Sequence, residues 1–208
     1  FEPSNSFYLH DSSADNYRFI IHELFLYCIA LLVKNERFQL AAELIETDYY
    51  VPRLANNDSE MFSFEVMRKH MDSLVTRNQR LKLSHLSLRA DMLEQRSKHT
   101  DVPFRDILQA DFILFLRDHL DRPAGSFHWY PETLLYVYQH AAAFEVFARS
   151  KSARYFDSMK PLLGISSKTD LADLLDRFEK EPQLIPKWSY HSFSPRALTA
   201  FEQIGTKP

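Results

Sequence analysis

Only three glycines occur in 208 residues, and Gly125, Gly164 and Gly205 stand too far apart to share a loop. Phosphate-cradling loops and dinucleotide-binding turns need clustered glycines, because only a residue without Cβ lets backbone N–H groups close on a pyrophosphate. P-loop and Rossmann enzymes are therefore close to excluded. Average usage supplies about 7% glycine, so the shortage also argues against a turn-rich all-β architecture. What remains is a mainly α fold, a single helical domain across 1–208 built from about seven or eight helices.

The rest of the composition is that of a folded chain: 45% hydrophobic, 14% aromatic and 25% charged. Seventeen Phe and ten Tyr predict a core filled by rings. A single cysteine, Cys28, forbids an intramolecular disulfide and suits a reducing, cytoplasmic setting. It lies in the apolar run Leu24–Val33, where a buried, inert thiol is expected. That run is bounded by Arg18, His22 and Glu23 before it and Lys34, Glu36 and Arg37 after it. A span needs about 20 apolar residues, so the run reads as a core helix with no membrane partner. The chain starts at Phe1 without a signal-peptide pattern and reads as a fragment of a longer protein.

Helix punctuation divides the chain. Tyr17–Val33 and Arg37–Glu46 read as a helical hairpin joined by a short polar break. Met61 to about Lys98 lacks Gly and Pro and fits one long helix or two with a kink. Pro103 opens an element running from Phe104 to Leu120. Within 108–150, the runs 111–116, 133–138 and 144–147 are too continuously apolar to separate helix from strand, and a small β element could form there. A helix from Ser152 ends at Gly164, Ser167 caps the next, and Ser194-Pro195 starts a terminal one. If the domain subdivides, the boundary falls near 121–126. Predicted core residues are Phe25, Leu26, Ile29, Leu32, Phe38, Leu44, Phe112, Leu114, Phe115, Leu134, Phe147, Phe156 and Leu163.

Net charge is −3, yet the segment Arg68–His99 carries eight Lys/Arg against three acids. On one continuous helix Asn78, Lys82, His85, Arg89 and Arg96 would share roughly a 60° sector. Lys82, His85, Arg89 and Arg96 are thus candidates for binding a polyanion, nucleotide or RNA. The competing reading is an internal ion-pair seam against acids such as Asp170, Asp173 and Asp176. No residue set has metal-ligand spacing: His22-Glu23 lacks a second His, and Cys28 lacks a Cys partner. No metal or other cofactor is implied.

The run Arg80-Leu81-Lys82-Leu83-Ser84-His85 resembles the R-x4–6-H signature of HEPN ribonucleases, all-helical proteins that cleave RNA without metal. That resemblance implies His85 as general acid or base on a ribose 2′-OH and Arg80 as the stabiliser of phosphorane charge. Leu81 departs from the polar residue which that family places after its arginine. A second resemblance covers most of the chain. It runs through His22-Glu23-Leu24-Phe25-Leu26-Tyr27, Ala41-Ala42-Glu43-Leu44-Ile45 with Asp48-Tyr49-Tyr50-Val51, and Phe147-Ala148-Arg149-Ser150-Lys151-Ser152. These phrases are similar to helical regions accompanying TIR-type effector domains in bacterial immune proteins. The similarity implies a sensor or oligomerisation module acting beside an enzymatic domain.

The absence of a phosphate loop, a metal set and a nucleophile with a base favours a non-catalytic interaction or regulatory module. Its expected partner is another protein, another domain of the same chain, or a second copy. The alternative is a HEPN-like ribonuclease using Arg80 and His85.

Overall fold

A computed structural model describes residues 11–51, 61–122, 128–139, 142–189 and 191–208. Helix dominates it. After a 3-10 turn at Asp11–Ala14 come α1 (Asp15–Lys34) and α2 (Phe38–Glu46), then β1 (Tyr49–Tyr50) and β2 (Met61–Phe62). A 3-10 turn at Phe64–Met67 leads to α3 (Asp72–Arg80), α4 (Leu88–Ser97) and α5 (Phe104–Asp121). The 3-10 segment Glu132–Gln139 precedes α6 (Glu145–Arg149), α7 (Ala153–Leu163), α8 (Lys168–Lys180) and α9 (Pro195–Leu198).

The central element is α5. Every residue from Ile107 to His119 is buried, because α1, α4, α7, α8 and the 132–139 segment pack around it. A helix enclosed on all sides has no polar stripe, so its sequence carries no helical period. For that reason 111–116 also read as a strand, and the structure settles it as helix. Phe112 carries the ring cluster: Phe144 lies at 5.3 Å, Phe147 at 5.8 Å and Phe193 at 6.1 Å between centroids. One hydrophobic cluster runs from Phe19 to Ile204. It includes all the predicted core residues except Leu32 and Leu44, which pack against it partly exposed.

The punctuation signals are realised at several ends. Ser152 accepts a hydrogen bond from Tyr155 N at the start of α7, and Gly164 closes that helix at φ 65°. Ser167 and Asp170 form a reciprocal capping box on α8. Asn35 ends α1, and Glu36 (φ 55°) turns the chain into α2, giving the expected hairpin.

Two expectations are corrected. The small antiparallel sheet pairs Tyr49 with Phe62 and Tyr50 with Met61, outside 108–150. In that range 133–138 form 3-10 helix, and Glu145–Arg149 are α-helical. The Met61–Lys98 stretch is not one helix: a strand, a 3-10 turn, α3 and α4 divide it. The subdivision expected near 121–126 falls mostly on residues outside those described.

Candidate functional site

The basic segment folds as a helical hairpin, not as a rod. Lys82 and Ser84 take positive φ (50° and 57°), so the chain reverses between α3 and α4 without any glycine. Asn78 pins the turn, its Nδ2 donating to His85 O at 2.7 Å and its Oδ1 accepting from His85 N at 3.2 Å. Arg80 is the last residue of α3, Lys82 and His85 lie in the turn, and Arg89 and Arg96 belong to α4. The single-sector stripe is therefore corrected, because the continuous helix it required is absent.

Its members also have separate environments. Arg89 is only 5% exposed and donates through Nη2 to Lys69 O at 2.5 Å. Arg96 Nε pairs with Glu23 Oε1 at 2.5 Å, and its guanidinium lies over the Phe19 ring. His85 Nδ1 faces Asp91 Oδ2 at 2.5 Å, and Asp91 also accepts from the Tyr136 hydroxyl. An ion-pair seam exists, but its acids are Glu23, Asp91 and Glu132. Asp170 is spent on the α8 cap, and Asp176 pairs with Arg196. Arg80, Lys82 and His85 are exposed on the hairpin. The shallow 170 Å³ hollow beside His85 is lined by Arg77, Leu83, Leu88, Asp91, Met92 and Gln95, without Arg80.

Arg89 leads instead to a larger cavity of about 370 Å³ between α3, the start of α4 and the Tyr130–Glu132 segment. Glu132 sits between two guanidinium groups. Its Oε1 receives Arg68 Nη2 at 2.5 Å and stands 3.6 Å from Arg89 Nη1, while its Oε2 accepts from Ser87 Oγ at 2.6 Å. Burial alone would raise the Glu132 pKa; Arg89, Arg68 and the Ser87 hydrogen bond outweigh it and hold the carboxyl below its ordinary range. Ser87 is also the α4 N-cap, accepting from Ala90 N at 3.1 Å. Behind this cluster, Asp111 is fully buried and takes Trp129 Nε1 at 2.6 Å, Thr133 N at 3.0 Å and Thr133 Oγ1 at 2.7 Å. His22 is buried, and neither ring nitrogen has a partner among the described residues. Burial first, then Arg89 and Arg68, push its pKa well down, so it is neutral.

A second surface lies on α1. Tyr17, Ile20, Ile21, Leu24 and Leu31 are exposed, Tyr17 at 71% and Leu24 at 56%. Cys28 lies among them and is exposed, correcting the expectation of a buried thiol. The offsets from Leu24 place all six within roughly a 100° sector of the helix. Meanwhile the polar residues His22 and Glu23 point inward. With the preceding turn (Ser12–Lys34), α1 is long and apolar enough to cross a membrane, and 44% of that window is buried within this fold. Of its flanking cations Arg18 pairs with Asp15 and Lys34 with Asp106, while Arg37, just past the helix, is exposed.

Among the described residues no three His, Cys, Asp or Glu side chains converge on a metal position. Comparison with protein-family models, curated proteins and solved structures gives no match. Sequence reasoning did not find Arg68, Tyr130, Glu132 and Trp188 as a group, since no local spacing joins residues so far apart. The α1 stripe did carry a signal: apolar residues on both faces of a helix whose charges fall on one side.

Proposed function

We propose that this chain is a non-catalytic helical interaction module that pairs with a second copy of itself through the outer face of α1. The observation that carries the reading is the exposed stripe, because isolated surface apolar residues are ordinary but a continuous row marks a contact site. Its spacing selects the partner. Relative to Leu24 the stripe occupies −7, −4, −3, 0, +4 and +7, a nearly palindromic set. Two α1 helices packed antiparallel about a two-fold axis at Leu24 set Tyr17 against Leu31 and Ile20 against Cys28, apolar to apolar.

The area is sufficient for a modest dimer. Five large side chains, each showing about half of roughly 200 Å², expose on the order of 500 Å² per copy, so a pair buries about 1,000 Å². Interfaces at this small end of the size range are typically weak and transient, so self-association in the micromolar range is expected. Lipid is the weaker partner, since an interfacial helix needs a row of free cations beside its apolar face, and here Arg18 and Lys34 are ion-paired while Arg37 lies past the helix end. The reading agrees with the resemblance to helical regions beside TIR-type effectors. It makes the chain an oligomerisation or sensor unit of a cytoplasmic prokaryotic defence protein.

Sedimentation velocity between micromolar and high-micromolar concentrations tests it. The wild type should shift from monomer to dimer, and Leu24→Glu, which sets two carboxylates together at the axis, should stay monomeric with an unchanged helical spectrum. A monomer throughout, or a dimer indifferent to Leu24→Glu, refutes the proposal. Anionic vesicles that capture the wild type but not Leu24→Glu would favour lipid instead.

A further inference from the structure

The tip of the α3–α4 hairpin carries cations and leucines together. Arg77 to Leu86 holds Arg77, Arg80 and Lys82 and no Asp or Glu. Every residue from Gln79 to Leu86 is exposed, including Leu81 at 50%, Leu83 at 38% and Leu86 at 51%. The tip stands off the body: no residue of α3 is buried, and that helix packs chiefly on α4. Asn78 clamps the turn through both backbone groups of His85, and Lys82 and Ser84 hold positive φ within it. None of the three leucines belongs to the hydrophobic core or packs against it. Apolar side chains gathered on a protruding turn mark a contact surface.

The cations beside them are unspent. Arg77, Arg80 and Lys82 make no ion pair or side-chain hydrogen bond among the described residues. The acids closest in sequence are engaged, Asp72 with His70 at 3.1 Å, Asp91 with His85 and Tyr136, and Glu94 with Lys98 at 2.7 Å. By contrast Arg18, Arg96, Arg117 and Arg196 are each held by a carboxylate. The hairpin tip is therefore a locally positive point on a chain of net charge −3.

We propose that this tip docks on an anionic lipid surface, its leucines entering the boundary between headgroups and acyl chains while Arg77, Arg80 and Lys82 meet the lipid phosphates and carboxylates. Interfacial binding needs apolar area and free cations together, and the hairpin has both where α1 has only the first. Long Arg and Lys stems keep the charges at headgroup level while Leu81 and Leu83 sit deeper. The tip is convex, so a protein partner would need a cavity shaped to it, whereas lipid headgroups rearrange around it. A nucleic-acid strand is the weaker occupant, because Arg68 to His99 contains no Phe, Tyr or Trp on which a base could stack. Docking requires no second copy of the chain.

The test is flotation with phosphatidylserine–phosphatidylcholine vesicles, with pure phosphatidylcholine as the neutral comparison, at chain concentrations below self-association. The wild type should bind the anionic vesicles only, and added salt should weaken binding as the screening length shrinks. Each cation removed should cost about fivefold, so Arg77→Gln, Arg80→Gln and Lys82→Gln combined should cost about 100-fold. Leu81→Ser with Leu83→Ser should weaken binding at least about tenfold. Trp129 and Trp188 are buried, so the emission of Leu81→Trp should shift to the blue on anionic vesicles as the new ring leaves water. All these positions are exposed, and an unchanged helical spectrum confirms folding. Leu24→Glu should bind as the wild type does, which separates the tip from self-association. Absence of vesicle binding, or binding indifferent to the leucine pair, overturns the proposal. So does tighter capture of a short single-stranded RNA that displaces the vesicles.

Discussion

Replacing Gly164 by alanine puts the packing around α5 under a sharp test. Gly164 sits at φ 65°, where an L-residue costs roughly 1–2 kcal/mol. A Cβ there would also meet Cζ, Nη1 and Nη2 of Arg117, all within 2.7 Å. An exposed arginine would swing aside, but this one is only 5% exposed and held from three sides. Nη2 pairs with Glu46 at 2.8 Å, Nε with Asp121 at 2.6 Å, and Nη1 donates to Pro161 O at 3.0 Å. Moving it strips a buried guanidinium of these partners. Glu46 and Asp121 are themselves substantially exposed, so water screens part of the loss, and about 1–2 kcal/mol is a fair share. The sum is about 2–4 kcal/mol, or roughly 5–12 °C in Tm for a chain of this length. Gly205→Ala is the control: its φ is 70°, but no described atom lies within 4 Å of the added Cβ. It should lose the backbone share alone. Urea denaturation of both variants decides, and equal losses would refute the claim that Gly164 is required by Arg117.

Stability should fall in mild acid. Burial, then His128 and Arg177, push the His119 pKa down to about 3, and His22 shifts the same way. Their unfolded values are near 6.5, so the native state holds fewer protons below that pH. The stabilisation is full above about pH 6.5 and is lost as pH falls toward 3. From pH 7 to 5 the loss should be about 2 kcal/mol for His119 alone; denaturant curves at both pH values measure it, and His119→Phe should flatten the slope. Purified chain should leave RNA uncut, and His85→Ala should change nothing; turnover abolished by that substitution would restore the ribonuclease reading. Asp111→Asn turns an amide donor toward Trp129 or Thr133 and should cost about 2–3 kcal/mol by urea denaturation, with a loss under 0.5 kcal/mol arguing against its role.

The sequence announced the helices wherever their ends carried chemical signals. Ser152, Gly164, Ser167 and Ser194-Pro195 act at the ends assigned to them because caps are local chemistry. It was silent where structure came from enclosure or from unusual backbone. The 111–116 run could not be told from a strand because α5 is buried on every side and shows no helical period. The α3–α4 reversal was invisible because Lys82 and Ser84 adopt positive φ, which reading by Gly and Pro cannot detect. That one hidden turn dissolved the basic stripe. The cavity was out of reach for a related reason: Arg68 and Glu132 lie 64 positions apart. Cys28 looked buried because its neighbours are apolar, yet α1 shows apolar residues to both core and solvent.

Disulfide trapping tests the two-fold pairing of α1 most directly. Cys28 is the single cysteine, and the antiparallel register sets it against Ile20 of the second copy. Ile20→Cys, oxidised at concentrations where the chain self-associates, should give a covalent dimer on non-reducing gels. Peptide mapping should show two symmetric links, each joining the introduced thiol of one copy to Cys28 of the other. The wild type, with only Cys28, should cross-link poorly. Ile20→Cys combined with Leu24→Glu should remain monomeric. Rapid Cys28–Cys28 linkage in the wild type, or no link between the introduced thiol and Cys28 in the variant, would contradict the account.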